Sequence, residues 1–343
     1  MRSTPLKPLT RFNFFATLAV FALSLFIANR TVAHLTRHTL PRQAMAQIAA
    51  SPGANILLSG NSLLVAGFDP AEFRSQLHLP DASHDVLNLA MTSTGPVEHL
   101  LFLRYALEHG AHPRLVVYGF VDSQISQPTV LANRDLIGKR EVLYYLEPGY
   151  ARRFYSMSFR DSLEFQIMRR VSLLSERSAV WGKVELLRRH LSAQGMPLEQ
   201  ENSFGRIADF NSMEAPDRAG FTALMDGYAN APLNAPAEEL LRLSQSAGAR
   251  VVFVEMPMSS AHRRDFYDSD SWRRYRSHVQ SLLAAQNAIY LNASDWIPDD
   301  ALFQDHIHLN STGATVFTRK LAQELMQRVP EAFQQAGRSS ALR

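Results

Sequence analysis

The stretch Asn55-Ile56-Leu57-Leu58-Ser59-Gly60-Asn61-Ser62 decides the fold of this chain. Three aliphatic residues without polar alternation run straight into a serine, glycine and asparagine turn. A short apolar run of this kind reads as a strand buried on both faces of a parallel sheet. The same pattern repeats outward. Asp69-Pro70 supplies an N-cap and a proline at the first helical position, opening a helix through about Leu77. Val86-Leu87-Asn88-Leu89-Ala90 reads as a second strand that leaves through Thr92-Ser93-Thr94-Gly95-Pro96, and Val97 to His109 as a helix closed by Gly110. Leu115-Val116-Val117-Tyr118 is a third strand ending at Gly119. Far downstream, Pro236 to Ala247 is a helix with Leu240, Leu243 and Ala247 on one face, followed by a fourth strand at Val251-Val252-Phe253-Val254. Ala288-Ile289-Tyr290-Leu291 is a fifth, and Thr312 to Met326 is a final helix that turns Phe317, Leu321 and Leu325 inward. Strand and helix alternating this way predict an α/β fold, a three-layer α/β/α arrangement around an open parallel sheet of about five strands.

The composition narrows the chemistry. The chain has 343 residues and no cysteine, so disulfides, thiol nucleophiles and cysteine-ligated metals are excluded. Its 35 basic and 32 acidic side chains leave a net charge of only +3, too small to argue for a nucleic-acid partner. Neither a P-loop nor a dinucleotide fingerprint is present, and no cofactor is expected. The charge is unevenly spread. Residues 139–195 carry eleven Lys and Arg against six Asp and Glu, a local +5 that leaves −2 for the rest. They lie in an insertion of about a hundred residues between the third and fourth strands, where Phe159, Leu163, Ile167, Val171 and Leu174 mark one face of an amphipathic helix. Its basicity fits either a solvated helical cap, with arginines paired to their neighbours, or a surface that leans on anionic headgroups or an acidic polymer.

At the N-terminus, Phe12 to Ala28 runs without a charge, preceded by Arg2, Lys7 and Arg11 and followed by Arg30. This length is at the short end of a spanning helix. Thr31-Val32-Ala33 offers small residues for a signal peptidase, but Arg30 sits where cleavage regions lack charge, which favours an uncleaved anchor. The leading basic residues keep that end in the cytoplasm and place the chain after Arg30 on the far side. The expectation is a single-pass protein of the inner membrane with an extracytoplasmic C-terminal domain. The resulting division is a membrane anchor at 1–30, a connector at 31–53, a sheet domain from 54–126 and 236–328, a mainly helical basic insertion at 127–235, and a tail at 329–343.

In open parallel sheets the ligand crevice lies beyond the carboxyl ends of the strands. Ser62 stands there, directly after the first strand, where it is either a turn-capping residue or a nucleophile. A serine hydroxyl needs an adjacent base to act as a nucleophile. Asp305-His306-Ile307-His308-Leu309-Asn310, just ahead of the last helix, supplies one: a carboxylate three residues before an imidazole can fix its tautomer and aim the other ring nitrogen at a hydroxyl. Asp122-Ser123 also follows a strand, which makes Ser123 a weaker alternative. The Asp305, His306 and His308 group could suggest a metal, but no further cluster at ligand spacing accompanies it, and no metal is expected.

Gly60-Asn61-Ser62-Leu63 together with Asp305-x-x-His308-Leu309-Asn310 resembles the first and last blocks of the SGNH/GDSL hydrolase superfamily. The closer resemblance is to its membrane-anchored members that acylate envelope polysaccharides, of the alginate O-acetylation and teichoic-acid D-alanylation type. The resemblance implies a flavodoxin-like fold, Ser62 as nucleophile, His308 as base and Asp305 as its partner. The backbone N–H groups of Ser62 and Gly95 would be oxyanion donors. It also implies a polysaccharide acceptor and a multispanning membrane protein that exports the acyl group. Two positions depart from the pattern. Asn61 replaces the usual Asp of the first block, and Gly119-Phe120-Val121-Asp122 stands where Gly-x-Asn-Asp is usual, so Val121 replaces an oxyanion-hole asparagine. Ser123, Gln124 or a backbone amide would have to substitute. A membrane-tethered esterase and a non-catalytic glycan-binding component are the rival expectations.

Overall fold

The computed structural model describes residues 8–79, 85–126, 140–191 and 215–333. Its helices and strands, in chain order, are α1 (Pro8–Leu35), α2 (Leu40–Ala49), β1 (Ile56–Gly60), α3 (Ser62–Gly67), α4 (Pro70–Gln76), β2 (Val86–Asn88), α5 (Pro96–Glu108) and β3 (Leu115–Phe120). The chain continues through α6 (Arg140–Tyr145), α7 (Pro148–Phe154), α8 (Phe159–Arg170), α9 (Ser172–Ser175), α10 (Arg177–Leu191), α11 (Ala215–Tyr228), α12 (Ala235–Ser246) and β4 (Arg250–Glu255). It closes with α13 (Ser260–His262), which widens into a π-helical turn over Arg263–Tyr267, then α14 (Asp270–Ala285), β5 (Ile289–Asn292) and α15 (Ser311–Arg328). The chain divides into two compact units, Met1–Gln43 with Ala132–Pro197, and Ala44–Leu131 with Leu198–Arg343. The expected tail beyond residue 333 and the stretches 127–139 and 192–214 of the expected insertion lie outside the described residues, as do Arg2 and Lys7.

The second unit carries one five-stranded sheet in the order β2-β1-β3-β4-β5, and every pair is parallel. The apolar runs read from the sequence are its strands. β1 and β3 are buried at every position, as parallel strands covered on both faces must be. The register pairs Gly60 with Gly119 at the carboxyl end. A Cβ at Gly60 would stand 2.9 Å from the Gly119 carbonyl oxygen and 3.0 Å from the Leu64 Cβ. The glycine therefore permits the close approach that turns the chain from β1 directly into α3. α15 packs beside α3 and α4, where the Thr318 hydroxyl accepts from the Asp69 N–H at 2.9 Å and donates to the Gly67 carbonyl at 3.3 Å. The Thr315 hydroxyl donates to Asp69 Oδ2 at 2.9 Å. The last helix is thereby fixed to the first turns of the sheet domain.

Below the carboxyl end of β4, Glu255 is fully buried and receives both arms of Arg276, at 3.0 and 2.5 Å, together with the Tyr290 hydroxyl. Burial pushes this carboxyl up, and the adjacent Arg276 guanidinium opposes the shift. A buried carboxylate is tolerated here because its cation and hydroxyl donors accompany it.

In the first unit, α1 extends beyond the expected anchor. Asn13–Leu35 has a mean hydropathy of 1.6 over its apolar window, is unburied, and is long and apolar enough to cross a membrane. The Thr17 and Ser24 hydroxyls donate to the Asn13 and Val20 carbonyls of the same helix, so neither needs water. The stripe expected on one amphipathic helix is divided. Val171 caps α8, and the chain restarts as the short α9. Phe165 is the buried residue of α8, whereas Phe159, Leu163 and Ile167 are exposed. A stripe with helical spacing gives its face but not its direction, and here that face points outward.

Candidate active site

Ser62 is the first residue of α3, and Asn61 is its N-cap, accepting the Leu63 N–H on its side-chain oxygen at 3.0 Å. Placed at N1, the Ser62 N–H has no carbonyl within its own helix to bond. Ser62 follows the carboxyl end of β1 and is half-buried. The opposing residues come from the turn ahead of α15. Asp305 Oδ1 accepts the N–H groups of Ile307 at 2.9 Å and His308 at 2.7 Å, a side-chain-closed turn that sets the backbone. Its other oxygen, Oδ2, lies 2.7 Å from His308 Nδ1. His308 Nε2 in turn lies 2.9 Å from Ser62 Oγ.

The tautomer follows from this chain of contacts. Burial pushes the Asp305 carboxyl up, but the hydrogen bonds from the His308 ring and from the Ile307 and His308 amides outweigh it and hold it below the ordinary carboxylate value. An ionised Asp305 only accepts, so Nδ1 carries the imidazole proton and Nε2 is left as the acceptor for the Ser62 hydroxyl. The turn itself is held on several sides. The Gln304 N–H and side-chain amide donate to the His308 and Leu309 carbonyls, at 2.8 and 2.7 Å, and the Ser259 N–H donates to the His306 carbonyl at 3.2 Å. Asn310 caps α15 and donates to the Ala301 carbonyl. Ser62 is thus brought from the far end of the chain into one hydrogen-bonded line with His308 and Asp305. In chemical terms the line can take a proton from a hydroxyl at one end and stabilise the resulting imidazolium with a carboxylate at the other.

The expected oxyanion donors fare differently. Gly95 precedes α5, and its N–H donates to Glu98 Oε2 at 2.8 Å. That amide is committed to its own helix start, so it is not available to an oxyanion as expected. A signal for this is present in the sequence, since Glu three residues after the position preceding Pro96 is a helix-start pattern. Ser123 is buried, 3% exposed. Gln124 bonds to the backbone of Val121. Its Oε1 accepts from Asn61 Nδ2 at 3.3 Å and from the Val121 N–H at 3.4 Å, and its Nε2 donates to the Thr94 carbonyl at 3.5 Å. One side-chain amide therefore touches all three strand-end loops that border Ser62. Asn234 fixes the Gln124 backbone by donating to its carbonyl at 2.7 Å.

Beneath the second loop, His99 is fully buried between Thr94 and Tyr118. The Thr94 hydroxyl donates to the Met91 carbonyl at 2.6 Å, so His99 Nε2–H donates to Thr94 and Nδ1 accepts from the Tyr118 hydroxyl. Burial, with the charge of Glu98 beside it, raises Tyr118 and keeps that hydroxyl protonated. Asp122 follows β3 with a left-handed φ of +46°. Its carboxylate accepts from the Tyr267 hydroxyl at 2.9 Å and lies 3.6 Å from His262 Nε2. Sequence reasoning misses this second cluster, because its members are far apart in the chain and share no spacing.

No family model matches the chain, and no curated protein matches it. Solved structures do align with it. One, provisionally described as an acylhydrolase, from Bacteroides fragilis, is 10% identical over 86% of this chain and 98% of its own, with a TM-score of 0.39. A GDSL-like lipase from Bacteroides thetaiotaomicron is 9% identical over 84% and 98%, with a TM-score of 0.38. A lipase/acylhydrolase from Enterococcus faecalis is 11% identical over 80% and 96%, with a TM-score of 0.34. Similarity at this level carries no argument about activity, which rests instead on the geometry of Ser62, His308 and Asp305.

Proposed function

We propose that this protein is a membrane-tethered serine acyltransferase that takes an acyl group onto Ser62 and passes it to a hydroxyl of an envelope polysaccharide. The observation that carries the proposal is the continuous hydrogen-bonded line from Asp305 through His308 to Ser62 Oγ. In the first half-reaction His308 Nε2 takes the Ser62 proton as Oγ attacks the acyl carbonyl. The tetrahedral intermediate collapses with transfer of that proton to the leaving group, and an acyl-Ser62 ester remains. In the second, His308 takes the proton of a sugar hydroxyl, whose oxygen attacks the ester, and the proton returns to Ser62 Oγ. The Ser62 N–H and the amide of Gln124 are the oxyanion donors of this reading.

Single-pass anchoring by α1 in the inner membrane, with the sheet domain outside the cytoplasm, is supported by the length of the apolar helix and by the basic residues ahead of it. An extracytoplasmic transferase needs its acyl group delivered across the membrane, so the reading includes a multispanning partner that exports it. If water replaces the sugar, the same residues make an esterase. The commitment of the Gly95 N–H to Glu98 favours a third reading, a glycan-binding component without turnover. A fluorophosphonate probe with mass spectrometry separates it: an adduct on Ser62, absent from His308→Ala, supports catalysis, and no adduct overturns it. Turnover of an aryl acetate that rises with added polysaccharide, and loss of polysaccharide O-acetylation in Ser62→Ala cells, distinguishes transfer from hydrolysis.

A further inference from the structure

Within the unit that contains α1, two helices expose apolar residues that no described residue of the unit covers. Phe159, Leu163 and Ile167 of α8 are 85%, 51% and 42% exposed, and Trp181, Val184 and Leu187 of α10 are 70%, 44% and 58% exposed. These positions fall at steps of four on α8 and three on α10, so each helix shows an apolar stripe. Large contiguous apolar exposure marks a surface that meets something else. Both helices are tied to the same end of α1. The Asn29 side chain donates to the Arg170 carbonyl at 3.3 Å and accepts the Leu173 N–H at 3.1 Å, which fixes the end of α8 to the helix where its uncharged run stops. The Lys183 ammonium of α10 donates to the Leu35 carbonyl, the last residue of α1.

We propose that α8 and α10 lie in the headgroup layer of the bilayer that α1 crosses, with their apolar stripes immersed and their cationic side chains against anionic lipid phosphates. The proposal rests on the reading of α1 as a membrane span. It commits to a lipid surface because both helices are bonded to the end of α1 at Asn29 and Leu35, and α1 itself exposes Phe14, Phe15, Phe21 and Phe26 at 56–64%. Helices that expose apolar side chains beside basic ones settle at the interface, where tryptophan is favoured. The charges fit as well. Residues 152–191 hold nine Lys and Arg against four Asp and Glu. Arg169 donates to the Leu146 carbonyl and Arg170 to the Gln166 side chain, neutral acceptors that leave both charges uncompensated by those contacts. Burial, reinforced by the like charge of Arg170, lowers Arg169, and Glu147 opposes the shift. Between α7 and α8 an open cleft of about 420 Å³ is lined by Arg152, Phe159, Leu163 and Gln166, with the guanidinium bordering apolar walls. A lipid, with its phosphate and acyl chain joined, has that combination of chemistries.

The full-length protein is reconstituted into vesicles of phosphatidylcholine with and without phosphatidylglycerol, in which the acyl chains are brominated or plain. Retention of the protein in floated vesicles after alkaline carbonate tests α1 alone. Brominated chains quench a tryptophan that touches the hydrocarbon boundary. The expected result is loss of the emission component that Trp181→Phe removes, with a larger loss in the anionic vesicles. Phe159→Trp in the Trp181→Phe background should restore a quenched component from α8. Protein that floats but keeps full Trp181 emission in brominated vesicles, while aqueous iodide quenches it, overturns the proposal and leaves the anchor standing. Shielding of Trp181 from both quenchers overturns it too and assigns the face to another protein surface. Protein that fails to float overturns the anchor and the proposal together.

Discussion

The Gly95 N–H donates to Glu98 Oε2 at 2.8 Å, within the first turn of its own helix. The donor expected from the second loop is therefore spent at the start of α5, and in the proposed reading the amide of Gln124 takes its place. Gln124→Ala should lower kcat for an aryl acetate by roughly 10²-fold with little change in KM, the signature of a group that acts in the transition state. Steady-state kinetics with the labelling rate of Ser62 measure it.

Asp305→Asn removes the acceptor that orients His308. Loss of the correct tautomer should reduce turnover by about 10⁴-fold while Ser62 stays in place. A fall no larger than severalfold would assign Asp305 to closing its turn alone.

The same residue sets an acid-side dependence of stability. Its pKa is held below the ordinary carboxylate value in the folded state, so its contribution is fully present above the unfolded value and is lost as pH falls through the folded one. The difference in Tm between the wild type and Asp305→Asn should be largest near neutrality and close below about pH 4. Thermal unfolding followed across pH checks the direction.

Arg276→Met strips the cation from a carboxylate with no solvent exposure. Breaking a buried pair from one side costs about 3–5 kcal/mol, so Tm should drop by about 10 °C, and Glu255→Gln in the same chain should recover part of it. Calorimetry of the single and double variants distinguishes this from a simple loss of packing.

Gly60→Ala would push a methyl against the Gly119 carbonyl and Leu64. Because the carbonyl belongs to the neighbouring strand, relief requires moving backbone, at a cost of about 1–3 kcal/mol. The displaced β1–α3 turn should slow fluorophosphonate labelling of Ser62 more than it lowers Tm, which a labelling time course set beside a melting curve would show.

The five strands are legible in the sequence because each is a short apolar run stopped by turn residues, and burial on both faces leaves no polar alternation to confuse the reading. Ser62, Asp305 and His308 are legible for a similar reason: each stands at the end or the start of an element that the sequence itself places. The Gly95–Glu98 contact is legible as a helix-start pattern, but the pattern does not say that it occupies the N–H wanted for another purpose. The stripe from Phe159 to Leu174 misleads in another way. Spacing reports that residues share a side of a helix, but whether that side meets protein depends on contacts formed elsewhere, and Val171 ends the helix before the stripe does.

Ser62 and His308 are 246 positions apart, and the helix after His308 is the one that locks the end of the sheet domain to its beginning. A chain shortened before residue 305 therefore keeps Ser62 but lacks both members of the line that meets its hydroxyl, so the hydrogen-bonded arrangement exists only once the last turn and helix are in place.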